Sequence, residues 1–98
     1  MIPVKISEDA QEFIKEKVRE TGIDTLVISF EGFGWGGPKF NISLKNPGNG
    51  EELVYDGEFK IYVDKVGREL LKEVDLTLKR SLFYGKYLAL RNGGRRMC

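Results

Sequence analysis

Between Glu8 and Thr21 the apolar residues Ala10, Phe13, Ile14 and Val18 recur at spacings of three and four, which sets them on one stripe of a helix. Ser7 can cap that helix, Glu8 and Asp9 sit where the positive end of its dipole favours carboxylates, and Gly22 stands where a left-handed stop is expected. Other segments alternate with period two or run β-branched. Val4 to Ile6 reads as a short strand, Thr25 to Phe30 as a second, and Phe40, Ile42 and Leu44 mark the inward side of a third. Leu53 to Tyr55 and Phe59 to Val63 flank Asp56-Gly57, which predicts a hairpin with a two-residue turn and hence a meander. Val66, Leu70 and Leu71 suit a short helix. Val74, Leu76 and Leu78 then alternate again, and Tyr87 to Leu90 supply a last strand beyond Gly85.

One long N-terminal helix, several strands and a short inserted helix predict an α+β domain with a mixed or antiparallel sheet. Residues 1–90 are expected to form the domain, and residues 91–98 read as a basic flexible tail. Neither an internal repeat nor a low-complexity stretch interrupts this order.

Length and composition narrow the chemistry. At 98 residues and 41% apolar content the chain supports one modest core. Sixteen Lys and Arg against fifteen Asp and Glu leave a formal charge of +1, so nucleic acid is not the expected partner. No basic start followed by an apolar run appears at Met1 to Lys5, and no eighteen apolar residues run together, so a cytoplasmic protein without a membrane partner is expected. There is no histidine and a single cysteine, Cys98, which removes the commonest general base and any intrachain disulfide. An enzyme is not expected, because no nucleophile with an adjacent base can be found.

The most distinctive segment is Gly32-Phe33-Gly34-Trp35-Gly36-Gly37-Pro38, read as a glycine-rich loop. It contains G-x-G-x-x-G, but a dinucleotide site requires a helix next, and here Pro38 and an alternating strand follow. The glycines instead suit a tight turn with positive φ. Trp35 has two readings, a plug at the edge of the core or an anchor for a partner, and packing is the one expected. Elsewhere, Asp64, Glu69, Glu73 and Asp75 are expected on a solvated helix face, and Tyr55, Tyr62, Tyr84 and Tyr87 at half-buried sheet positions. Arg91, Arg95 and Arg96, with Lys79, Arg80 and Lys86 nearby, make the C-terminal region locally basic, and the expected role is a solvated tail.

The run Ile6-Ser7-Glu8-Asp9-Ala10 opening a helix, Gly34-Trp35-Gly36-Gly37-Pro38-Lys39-Phe40, and Phe59-Lys60-Ile61-Tyr62-Val63-Asp64 after an acidic hairpin region together resemble the HesB/IscA (A-type iron-sulfur carrier) pattern over nearly the whole chain. The resemblance implies a HesB-like fold. In that family the loop reads Gly-Cys-Ser/Gly-Gly-Met-x-Tyr, and a Cys-Gly-Cys near the C-terminus adds two thiolates. Here Trp35 occupies the first cysteine position and Cys98 alone remains of the C-terminal pair, so the chain resembles a divergent member lacking the usual cysteines.

Clusters are commonly held by four ligands dominated by thiolates, and one chain offers one. What the resemblance then implies is a noncatalytic adaptor or accessory factor related to iron-sulfur cluster assembly, with no cofactor of its own. Its partner is expected to be a protein, with iron-sulfur assembly components as candidates, and the glycine segment Gly34, Trp35, Gly36, Gly37 and Pro38 is either the contact for that partner or a structural site. The alternative is a weakened iron or iron-sulfur carrier, with Cys98 as metal ligand and the cluster shared across a homodimer.

Overall fold

The structure is a computed structural model that describes residues 2–35, 37–83 and 85–90. In chain order it runs β1 (Val4–Ile6), α1 (Glu8–Thr21), β2 (Thr25–Gly34), β3 (Gly37–Leu44), β4 (Glu51–Asp56), β5 (Lys60–Asp64), α2 (Lys65–Leu70), β6 (Val74–Ser81) and β7 (Gly85–Leu90).

Helix α1 is bounded by the signals its sequence carries. The Ser7 hydroxyl accepts from the Ala10 amide at 3.3 Å, and Gly22, at φ 77°, donates its amide to the Val18 carbonyl at 2.8 Å. Ala10 and Ile14 are buried, with Phe13 and Val18 packed beside them. At 14 residues the helix is of ordinary rather than exceptional length.

The strands form two sheets. A three-stranded sheet has the order β1-β6-β7, with β1 parallel and β7 antiparallel to β6. A four-stranded sheet has the order β3-β2-β5-β4. The α+β class and its mixed sheets therefore hold, but a meander does not. After the β4–β5 hairpin the chain lays β5 parallel to β2, with Ile28 opposite Val63, and so inserts it between β2 and β4. One apolar cluster closes the domain: Leu26, Ile28, Phe40, Ile42, Ile61 and Val63 from the larger sheet meet Val74, Leu76, Leu88 and Leu90 from the smaller, with Ala10 and Ile14 of α1.

Two connections differ from the sequence expectation. The β4–β5 hairpin closes at Asp56 opposite Lys60, which leaves three residues in the turn rather than two. Phe59 is the reason: it is 2% exposed and packs on Tyr55 at 5.4 Å, so it turns into the core instead of joining the ladder. The glycine segment is not an open loop. Strand β2 runs on to Gly34 and β3 begins at Gly37, with Gly34 opposite Gly37, so glycines that suggest a coil are incorporated into a ten-residue strand and its partner. A register shift between Phe30 and Gly32 accommodates Glu31 as a bulge.

Candidate functional site

The β2–β3 hairpin carries a row of aromatic rings from the core to its tip. Phe40 is fully buried, and Phe30 opposite it meets its ring edge-on at 5.8 Å. Phe33 then meets Phe30 at 5.2 Å and is itself 72% exposed. Trp35 follows at the turn with its side chain wholly in solvent. The expectation that Trp35 packs into the core is therefore overturned. Phe40, Phe59 and the buried aliphatic residues already fill the space between the sheets, and the extension of β2 to Gly34 carries the indole beyond the last buried row.

The backbone of the tip explains its glycines. Gly37 has φ 108°, a left-handed value that penalises any β-carbon. Gly34 has no such φ, but the aliphatic stem of Lys39 lies where its β-carbon would be, so a cationic side chain is drawn across the hairpin over Gly34. Pro38 pairs opposite Phe33, and both Gly34 and Pro38 are half-buried. Gly36 lies outside the described residues, as do Tyr84, Cys98 and the basic segment 91–98. The structure thus brings Gly34, Trp35, Gly37 and Pro38 together at one protruding tip.

One supporting residue escapes a reading of the sequence. Asp64 is not a member of a solvated helix face. It is the N-cap of α2, where Oδ1 accepts from the Gly67 amide at 2.8 Å, while Oδ2 accepts from the Phe30 amide at 2.9 Å. The parallel β2–β5 ladder ends at Ile28 opposite Val63, so this carboxylate takes over from the strand backbone just where β2 bulges toward the tip. An Asp followed three residues later by Gly, at the end of an alternating run, is the signal that could have marked it. The other acids disperse: Glu69 lies on α2, Asp75 in β6, and Glu73 reaches Lys5 at 3.8 Å. Tyr55, Tyr62 and Tyr87 occupy half-buried strand positions.

The charge environment is mild. The Ser7 hydroxyl bond, assisted by the Ala10 amide and the field of Arg80, holds the Asp9 carboxyl below its ordinary value against a smaller opposing effect of burial. Bonds to Glu58 and then Glu12 raise Lys15. Both groups are at the surface and neither adjoins the tip. Among the described residues no three His, Cys, Asp or Glu side chains converge as a metal site.

No protein-family model matches the chain, and neither does any curated protein. Its fold does have solved counterparts. A crystal structure of IscA with a 2Fe-2S cluster superposes with a TM-score of 0.71 at 16% identity, covering 97% of this chain and 98% of that one. SufA of Escherichia coli, described as involved in the biosynthesis of iron-sulfur clusters, gives 0.70 at 13% identity over 92% and 82%. A protein of Aquifex aeolicus solved in solution gives 0.64 at 18% identity over 94% and 93%. The chain has an IscA-like fold.

Proposed function

We propose that this protein is a noncatalytic accessory factor of iron-sulfur cluster assembly that works by contacting another protein through the β2–β3 hairpin, and that it does not carry a cluster. The observation that supports this reading is the full exposure of Trp35 at the tip, at the position where the HesB/IscA pattern has its first cysteine. The donor set does not fit a cluster: the chain has no histidine and one cysteine, and an indole offers iron no lone pair. The same tip fits recognition. An exposed Trp near an exposed Phe in sequence, on a hairpin held by the edge-on Phe30–Phe40 contact, presents a large apolar surface with little freedom to lose on binding.

Purified iron-sulfur assembly proteins from the same source, titrated one at a time, test the reading. A partner should shift the Trp35 emission to the blue with saturation, and Trp35→Ala should weaken that complex about thirtyfold, as expected for a hot-spot residue worth about 2 kcal/mol. Binding that Trp35→Ala leaves intact, or no binding by any assembly protein, would overturn it. A carrier using Cys98 across a dimer would instead show metal-dependent dimerisation abolished by Cys98→Ser.

A further inference from the structure

The charges of this chain are sharply divided along its length. All fifteen acidic residues lie at or before Asp75, with ten of the sixteen Lys and Arg, whereas residues 76–98 hold the other six cations and no acid. The near-neutral total thus hides a region of −5 followed by one of +6. The described part of the basic region is the β6–β7 hairpin. Arg80 stands directly opposite Lys86, and Lys79, one residue earlier, projects from the other face beside Tyr87. All three cations are exposed. At the turn beyond them Leu82 is 99% and Phe83 88% exposed. Like charges opposite one another disfavour the isolated fold, and two large apolar side chains left in water contribute nothing to it. Asp9, Glu12 and Glu16 of α1 border a shallow cleft with Arg80 and Lys86 and offset part of the repulsion, but among the described residues nothing covers Leu82 or Phe83.

We propose that the β6–β7 hairpin is a peripheral contact for an anionic lipid surface, with Leu82 and Phe83 entering the interfacial layer and Lys79, Arg80 and Lys86 meeting the head groups. Apolar residues at the leading end with cations behind them on both faces match the layering of a membrane surface, apolar within and anionic at its boundary. Single-stranded nucleic acid is the poorer match, because base stacking uses flat rings along a groove, and the most exposed side chain here, Leu82, is aliphatic. No spanning segment is needed, so the lack of a long apolar helix among the described residues does not bear on it. The hairpin is also remote from the Trp35 tip. Lys86 and Leu88 share an apolar cleft with Leu26, Ser43 and Leu44, at the ends of β2 and β3 farthest from Trp35, and ten residues of strand span roughly 30 Å.

Flotation of the full chain with vesicles of phosphatidylcholine and phosphatidylglycerol in equal parts, against phosphatidylcholine alone, tests the proposal. Binding to the anionic vesicles should be at least about tenfold stronger and should fall as salt rises. Leu82→Ser with Phe83→Ser should lose about tenfold, as should Lys79→Glu, without a change in melting temperature, since all three side chains are exposed. In a Trp35→Phe background, Phe83→Trp should give an indole quenched by brominated acyl chains, whereas native Trp35 should keep a water-like emission on the same vesicles. Equal binding to neutral vesicles, full binding by the serine double variant, tighter binding to oligo-dT than to anionic vesicles, or a self-association abolished by the serine double variant would overturn it.

Discussion

Replacing Asp64 probes the joint between the fold and its candidate site. Asp64→Ala removes two acceptors at once: the cap on the Gly67 amide at 2.8 Å and the bond to the Phe30 amide at 2.9 Å. Loss of an N-cap costs about 1 kcal/mol. A half-buried amide left without its partner adds about 1 kcal/mol or somewhat more, toward the lower end because water can reach this one. The total of about 2–3 kcal/mol corresponds to a fall in melting temperature of roughly 10–20 °C for a domain of this size. Asp64→Asn keeps one carbonyl oxygen and should lose about half as much. The cap is closely packed: a β-carbon at Gly67 would lie 2.6 Å from Asp64 Oδ1 and 2.8 Å from the Val63 Cγ1. Urea denaturation of both variants, with hydrogen exchange at Phe30 and Gly67, measures the effect. Stability of Asp64→Ala within about 0.5 kcal/mol of the parent, or unchanged exchange at Phe30, would refute the bridging role.

Three further expectations concern the tip and the surface. Gly37→Val should lower stability, since φ 108° is forbidden to a β-branched residue, whereas Gly34→Ala should cost less because only the flexible Lys39 stem must move; equal melting of Gly37→Val and the parent would remove the argument. Trp35 should show a water-like emission maximum and ready acrylamide quenching, and Trp35→Ala should leave the melting temperature nearly unchanged; a loss of about 3–5 kcal/mol would mean the indole packs after all. The depressed Asp9 carboxyl stabilises the folded chain at pH above the ordinary Asp range, and that contribution disappears as pH falls through its lowered value, so Asp9→Asn should flatten the acid limb of a stability curve; an unchanged limb would show that the Ser7 bond has no effect on folding.

Much of the architecture can be read from local pattern. The spacing of Ala10, Phe13, Ile14 and Val18 between Ser7 and Gly22 specifies α1 because cap, stripe and stop all act within one segment. Strand pairing is different in kind. That β5 lies between β2 and β4 depends on long-range burial of Ile61 and Val63 against Ile28 and Ile42, which no local periodicity encodes. The glycine segment misleads for a related reason. Glycine weakens the strand signal, yet Gly34 and Gly37 pair across a tight turn because the hairpin continues a ladder already begun at Leu26 opposite Leu44. Once β2 is ten residues long, Trp35 has to fall outside the core. The glycine segment stands out in the sequence, whereas the exposure of Trp35 within it does not. Asp64 was hidden because its two partners lie three and thirty-four residues away, and only the first of these leaves a local signature.

Anaerobic reconstitution with ferrous iron and sulfide tests most directly the proposal that this IscA-like fold serves recognition and not cluster ligation. The protein should emerge without stable sulfur-to-iron charge-transfer absorption, with iron and sulfide far below one per chain, and with no difference between the parent and Cys98→Ser. Stoichiometric iron and sulfide in the parent, lost in Cys98→Ser, would contradict it.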